Sequence, residues 1–493
     1  PKAKSTHACY PCRPWDYAGR QTGSFFFPPL VFWHKWLALY EGLIFVPALI
    51  LMPNNLADWL IYLESLHPKT IALGLGRVAQ VKQRLNLQPD FPIIVVGGTN
   101  GKGSVCAMLE SILHAAGYRV GCYTSPHLLH YNERVRIAKN QVSDAELCAA
   151  FEKIEQVRKP HQLDSRLRGN DGLLEIPLTY FEFGTLAAMQ CFIDHKVEVA
   201  ILEVGLGGRL DAVNAFDNDC AVIASVDIDH TDYLGDTREQ IGFEKAGIFR
   251  AGRVAICADA DVPQAMVEHA EKIGAQLWRI GNEIGNEFSF TLHQGQWDYR
   301  SKANTRNALP YPALRGAFQL NNASAALAAL DVLKDRLPVS MEAVRRGLGE
   351  VQLAGRFQFV PGKPTLILDV AHNPHAARSL AQNLASLPPC PHTYAIFAML
   401  KDKDIPAVVE ALDPHIDTWL AAGIETPRGA TAGEMEHVLQ QRMVRGDIHA
   451  FKRIDEALRY AYNAAGENDR IIAFGSFYTV AEVMAAKGLS IPR

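Results

Sequence analysis

The sequence has no apolar run long enough to span a bilayer; the best candidate, Leu43 to Leu51, is short and is broken by Pro47. It also lacks the small-residue cleavage pattern of a secretory leader, and the chain as given does not start with methionine. Charge of one sign is scarce. A formal net charge of −4, with lysine and arginine spread along the chain, gives no electrostatic footing for a nucleic-acid partner. The nine cysteines are scattered, mostly in apolar runs, and read as buried thiols in a reducing compartment. Cys9 and Cys12 have CxxC spacing, but without a second pair they do not make a zinc site. Internal repeats are absent as well. The expectation is a cytoplasmic protein with no membrane and no nucleic-acid partner.

The most informative stretch is Gly97-Gly98-Thr99-Asn100-Gly101-Lys102-Gly103-Ser104. An apolar run, Ile93 to Val96, precedes it, and a helix-like pattern through Leu109, Ile112 and Leu113 follows. Strand, glycine loop and helix together make a triphosphate cradle. Glycines let the backbone aim its N–H groups inward, the helix N-terminus adds partial positive charge, and the lysine adds a full one. The loop lacks the first glycine of a standard Walker A, because that position is Val96. The departure argues against GTPases and motor ATPases, while ATP or a similar nucleotide remains the expected ligand.

With 493 residues the chain is too long for one typical core and is expected to hold two or three domains. Residues 1–55 are atypical, with Phe25-Phe26-Phe27-Pro28-Pro29 and Trp15, Trp33 and Trp36. They read as an extension outside the functional fold, with a membrane-surface segment as the competing reading. From Leu56 the texture is α/β. Leu56–Leu66 and Val78–Leu87 read as helices, followed by apolar runs at Ile93–Val96, Val120–Tyr123, Val197–Leu202, Ala221–Val226 and Val254–Cys257. Helix-period segments at Ala145–Val157, Phe181–Ile193 and Pro263–Lys272 lie between them. This alternation implies a mainly parallel sheet covered on both faces, with ligands at the carboxyl ends of its strands.

A second series has apolar runs at Thr365–Leu368, Tyr394–Met399, Thr418–Ala421 and Ile471–Phe474, with helices at Ala376–Leu387, Ala407–Leu412 and Ile454–Ala465. The expected division is therefore 56–349 and a smaller α/β domain, 350–493. The polar segment 281–312 reads as a small antiparallel excursion before a helix at Asn321–Leu333, and 162–172 as a surface insertion.

Four patches past the apolar runs concentrate chemistry: Ser125 to Leu128, Glu203 to Asp211, Asp227 to Asp232, and Glu244 to Phe249. Triphosphate chemistry calls for a hard divalent cation, usually Mg²⁺, held by few protein oxygens. Glu203 is the natural carboxylate ligand; Ser125, Ser104 and His230 are neutral candidates, and Asp227 or Asp229 competes with His230. A helix cap or turn would account equally well for any single one of these acids. Lys245 is open between a site residue and a surface lysine paired with a carboxylate, and His127 and His130 between site and structural roles. In the second series Asp369 suits a ribose or caps the helix near Pro374, while Arg356 suits phosphate or an interdomain anchor.

Taken together, the motifs resemble the Mur ligase superfamily, and within it the bifunctional dihydrofolate synthase/folylpolyglutamate synthases. The likeness runs from about Leu56 to Leu489 and is carried by Gly98–Ser104, Ser125–Leu128, Tyr131–Arg136, Leu178–Thr185, Leu202–Ala212, Asp229–Asp232, Glu244–Phe249, Gly355–Gln358 and Asp369–His375. It implies a central ATP-binding domain of Mur-ligase type with a mainly parallel sheet, plus a smaller Rossmann-like C-terminal domain. Thr99, Asn100, Gly101, Lys102, Gly103 and Ser104 then form the ATP-phosphate loop, with Asn322, Arg356 and Asp369 as further nucleotide contacts. Ser125, Glu203 and His230 become the Mg²⁺ ligands, so His230 displaces the competing aspartates.

By the same resemblance, Lys245 is a lysine carbamylated by CO₂, and Lys102, His230 and Lys245 are the catalytic residues. Ser65, Leu66, His67 and Pro68, then Thr179, Tyr180, Phe181 and Glu182, then Leu210, Asp211 and Ala212 bind the pterin substrate. Two departures stand out: Val213 replaces a family threonine, and Phe243 replaces a commonly basic residue. The implied activity is ATP-dependent amide formation by a monomer, joining L-glutamate to dihydropteroate and to tetrahydrofolate through an acyl phosphate. A monofunctional folylpolyglutamate synthase is the alternative. A nucleotide-dependent switch would lack the combination of Ser125, Glu203, His230 and Lys245.

Overall fold

The computed structural model describes residues 53–68, 71–159, 175–283 and 285–491. The extension before Met52, with Cys9 and Cys12, and the insertion 162–172 lie outside the described residues.

Strand Ile93–Gly97 is buried along its whole length, as a strand covered on both faces must be. Its side chains alternate between two cores. Ile93 and Val95 enter one cluster and Ile94 and Val96 the other. The same alternation splits Val199–Glu203 and Cys220–Ile223 between those clusters. The sheet runs in the spatial order Asn140–Gln141, Val135–Ile137, Val120–Tyr123, Val199–Glu203, Ile93–Gly97, Cys220–Ile223, Val254–Cys257, Gln276–Arg279. From Val120–Tyr123 to Gln276–Arg279 all neighbours are parallel; the two short strands at the other edge are antiparallel.

Chain order reverses around the central strand Ile93–Gly97, which is where a doubly wound sheet opens a crevice for ligand. The buried helices Lys102–Ala115 and Gln319–Val332 pack on one face, together with a three-stranded antiparallel sheet, Phe288–His293, Gln296–Ser301 and Thr305–Leu309. That sheet is the excursion expected in 281–312.

A second sheet has the order Gln358–Val360, Thr365–Leu368, Arg470–Phe474, Thr393–Phe397, Thr418–Ala422, Asp447–Phe451. It is parallel except for its first strand. Leu366, Ile396 and Leu420 face one core, while Ile367, Ala395 and Trp419 face the other. The fold class read from the sequence, a mainly parallel α/β sheet plus a smaller Rossmann-like one, is the architecture found. Both sheets belong to one compact unit, Pro53–Arg493. Each of the seven cysteines described is a free thiol. No helix among the described residues is long and apolar enough to cross a membrane.

Candidate active site

A cleft of about 810 Å³ opens at the carboxyl end of the eight-stranded sheet and is lined by residues of both sheets. The glycine loop forms its floor. Gly101 adopts φ +83, and a Cβ there would come within 2.6 Å of Asn322 Oδ1, so both conformation and space require glycine. The loop is tied to the next strand: Thr99 N donates to Ser225 O at 2.7 Å and Asn100 N to Ser225 Oγ at 3.0 Å. Thr99 Oγ1 accepts from Asp227 N at 3.0 Å. Lys102 opens the helix and folds back over its own loop, donating to the carbonyls of Gly98 and Thr99 at 3.1 and 3.3 Å. Among the described residues no carboxylate pairs with it. Gly103 and the buried Ser104 also line the cleft.

Glu203 ends its strand, 4% exposed. Its Oε2 accepts from Ser125 N at 3.0 Å, which leaves Oε1 on the side of the glycine loop, 4.0 Å from where a Gly103 Cβ would stand. Burial raises its pKa, and Lys102 and the Ser125 amide oppose that rise. His230 has φ +53 and lies 3.5 Å from Lys403 Nζ through Nε2. Burial pushes its pKa down to about 4, with Asp229 opposing and Lys403 reinforcing the shift, so the ring is neutral at physiological pH. Burial raises the pKa of neighbouring Asp229, but His230, Lys403 and His372 more than offset it and hold the carboxyl well below its ordinary range.

No group of three or more His, Cys, Asp or Glu side chains with metal-site geometry occurs among the described residues. The donor set Ser125, Glu203 and His230 suits an ion that takes a few protein ligands and fills the rest of its shell with phosphate and water: a carboxylate oxygen not used by Ser125, a hydroxyl and a neutral imidazole.

Lys245 sits near the end of helix Arg238–Ala246, 3% exposed. The sequence left open a surface lysine paired with a carboxylate. The structure shows a buried one with no such partner among the described residues, while neighbouring Glu244 pairs with Arg209 at 2.8 Å. Burial, reinforced by Lys102, lowers its pKa to about 7, so a substantial neutral fraction exists at physiological pH.

Asn322 lies against Gly101 and donates to Gln319 Oε1 at 3.1 Å. Arg356 faces the cleft with its guanidinium 5.2 Å from the Phe477 ring centroid. Asp369 does not cap the helix at Pro374–Ala385; Asn373 does, accepting from Ala376 N at 2.9 Å. The Asp369 oxygens instead accept from Phe357 N and Ala371 N, both at 2.8 Å.

Among the residues expected to bind the acceptor, Thr179 and Glu182 form a capping box for helix Tyr180–Asp194, and Arg77 clamps Glu182 at 2.9 Å. Thr179, Phe181, Glu182, Leu210, Asp211 and Ala212 line the cleft; Tyr180 does not. Burial lifts the Asp211 carboxyl to about 7 against the amides of Leu206 and Val213. Ser65, Leu66, His67 and Pro68 fall at and beyond the end of helix Leu56–Ser65 and are not in the lining, which begins at Ile71, Ala72 and Leu73. Val213 is fully buried, and Phe243 is exposed beside His269 and Arg209.

The Mur ligase middle domain matches residues 171–330, and the Mur ligase, glutamate ligase domain matches residues 355–477. The Escherichia coli dihydrofolate synthase/folylpolyglutamate synthase is 43% identical over 433 residues, 87% of this chain and 95% of that protein. The chain belongs to the dihydrofolate synthase/folylpolyglutamate synthase family. The Haemophilus influenzae member is 40% identical over 88% of this chain and 97% of its own. A structure of E. coli FolC in complex with DHPP and ADP aligns with TM-score 0.79 and 42% identity, covering 88% of this chain and 98% of that one. A bifunctional synthase with Mn, AMPPNP and L-glutamate bound aligns at 0.78 and 45% identity, with the same coverage. The chain is thus an ATP-dependent ligase of the Mur type.

Several residues at and beside the cleft were not singled out from the sequence. Lys403 bonds Asp229 at 2.7 Å, Asn373 bonds both Asn100 and Asp229, and Arg378 bonds Asp227. Asn373 lay inside the Asp369–His375 motif and could have been weighed there. Lys403 stands in Lys401-Asp402-Lys403-Asp404, which reads as a solvated charge run; only the fold shows that its side chain is buried.

Proposed function

We propose that this chain joins L-glutamate to dihydropteroate and, in a second reaction, to tetrahydrofolate and its glutamylated forms, in the cytoplasm. The observation that carries the reading is the pair Lys102 and Lys245. Both face one cleft with Glu203 and the glycine loop, and neither has a carboxylate partner among the described residues. The Lys102 ammonium at a helix N-terminus, with the partly neutral Lys245 amine in the same cleft, suits a polyanion. The relatives solved with DHPP and ADP, and with Mn, AMPPNP and L-glutamate, support the same substrates.

The acceptor carboxylate attacks the γ-phosphorus and the bond to ADP breaks, giving an acyl phosphate. The glutamate amine then attacks the acyl carbon, loses a proton, and phosphate departs. No protein nucleophile is required. Lys102 and the loop amides offset charge on the transferring phosphoryl group, and the two-sided cleft fixes the reactants' approach. Asn322, Arg356 and Asp369 hold the nucleotide, while Thr179, Phe181, Glu182 and Leu210 to Ala212 line the acceptor's place. Held by Ser125, Glu203 and His230, Mg²⁺ would screen the triphosphate's charge. The neutral fraction of Lys245 can take up CO₂ as a carbamate, which converts a cation into an anion beside that ion.

We read the chain as a ligase domain over 56–349 and a smaller one over 350–493 after an extension over 1–55; the presence of two separate sheets supports the division of 56–493. The test is ADP release that requires glutamate and Mg²⁺, with dihydropteroate and tetrahydrofolate as separate acceptors. Activity with both is expected. Release without any acceptor would contradict the reading, and activity with tetrahydrofolate alone would make the enzyme monofunctional.

A further inference from the structure

The Ser125 hydroxyl assigned to the metal ion stands in an irregular segment, 124–130, that belongs to no helix or strand. A ligand on such a segment is only as well placed as the contacts behind it. Those contacts lie outside the cleft. Glu133, 8% exposed, accepts from the backbone N–H groups of Leu128, Leu129 and His130 at 2.8, 2.6 and 2.5 Å, which fixes the far end of the segment. At the near end, Thr124 N donates to Arg134 O at 2.9 Å.

Arg136, on strand Val135–Ile137, joins the two ends. Its Nη1 donates to Thr124 Oγ1 at 3.2 Å and to Glu133 O at 2.9 Å. Its Nη2 donates to Cys122 Sγ at 3.3 Å and to Glu110 Oε2 at 2.8 Å, and its Nε reaches the same carboxylate at 3.0 Å. Each N–H of the guanidinium thus has a partner. Glu110, 4% exposed, lies on helix Lys102–Ala115, which opens with the lysine of the glycine loop. One side chain therefore ties the phosphate-binding helix to the segment carrying Ser125, while neither Glu110 nor Arg136 lines the cleft. A lysine has three donors and no planar fork, so it cannot hold all of these partners at once. A buried ion pair is by itself weak evidence for stability. What this one adds is a fixed relation between two elements that serve one site.

We propose that Arg136 is a positioning residue of the metal site: through Thr124 and Glu133 it holds Ser125 in register with Glu203 and the glycine loop. Metal affinity then depends on a side chain that touches neither metal nor substrate. This rests on the assignment of Ser125, Glu203 and His230 to the ion.

The test uses Arg136→Lys and Thr124→Val. The second variant removes one bond and keeps the Glu110 pair, so it decides the matter if the first fails to fold. AMPPNP affinity is measured for the parent and both variants in Mn²⁺ and in EDTA, and kcat is followed against Mg²⁺ concentration. Mn²⁺ should tighten AMPPNP binding by the parent. In Arg136→Lys that tightening should shrink about tenfold, and in Thr124→Val by less, with affinity in EDTA unchanged in both. The Mg²⁺ concentration giving half-maximal activity should rise, and excess Mg²⁺ should restore most of kcat. Equal losses in Mn²⁺ and EDTA, or a lowered melting temperature with the parent's metal dependence, would overturn the positioning role and leave a purely structural pair. A parent enzyme whose AMPPNP affinity ignores Mn²⁺ would instead overturn the metal assignment, and this inference with it.

Discussion

Two pairs of cationic side chains, one on each side of the cleft, are used in opposite ways. On the eight-stranded side, Lys102 and Lys245 face the cavity without carboxylate partners among the described residues. On the six-stranded side, Lys403 and Arg378 are bonded to Asp229 and Asp227 of the first side, at 2.7 and 3.0 Å. One side therefore keeps positive charge available for an incoming anion. The other uses it to hold the two halves of the cleft together, aided by Asn373 between Asn100 and Asp229. The difference separates charge that does chemistry from charge that sets geometry, although Lys102, Lys245 and Lys403 all line the same 810 Å³ cavity.

Removing the available charge should have the largest effect. Lys102→Ala is expected to lower kcat by about 10³-fold while the melting temperature stays near that of the parent, because no ion pair is lost. Loss of the fold would move this lysine into the structural group. Arg356→Ala, a six-stranded-side residue facing the nucleotide, should cost about 10²-fold in kcat/KM for ATP. An unchanged KM for ATP would show that this side supplies geometry alone. Lys403→Met breaks a cross-cleft pair and leaves Asp229 without its ammonium. A loss of about tenfold in kcat with a measurable loss of stability is expected, and stability without change would count against the holding role.

The smallest effect is one of stability and has a definite pH sign. Folding lowers the Lys245 pKa from its ordinary 10.5 to about 7. Between those values the unfolded chain binds the proton and the folded one does not, so stability gains with rising pH across that window. Below pH 7 both states are protonated and the full cost of burying the ammonium is present. Lys245→Met should therefore be more stable than the parent at pH 7, by on the order of 2 kcal/mol, with the gap closing as pH approaches 10. Denaturant melts of both proteins at several pH values would show it. A gap independent of pH would mean that packing, not charge, separates them.

The contrast also marks how far the sequence could be read. Strands buried on both faces, such as Val120–Tyr123, Val254–Cys257 and Thr365–Leu368, appear as plain apolar runs and were found residue for residue. Edge strands did not appear. Gln276–Arg279 and Asp447–Phe451 are half exposed, so polar residues interrupt them. Helices Met341–Glu350 and Ala432–Gln441 were missed for a related reason, since each buries a narrow stripe of few residues.

In the site, the glycine loop was legible because conformation restricts residue type at Gly101. That Asp229 is already paired was not legible from chemistry alone. Asp229 is occupied by Lys403, a residue 174 positions away, and no local pattern announces such a pair.

The most direct test of the central claim follows an oxygen atom. Dihydropteroate labelled with ¹⁸O in its carboxylate is turned over with ATP and L-glutamate, and the released phosphate is analysed by mass. An acyl phosphate formed in this cleft must transfer one carboxylate oxygen to phosphate and leave the other in the new amide. Labelled phosphate, in proportion to amide formed, is the predicted result; amide formation with unlabelled phosphate would contradict the account.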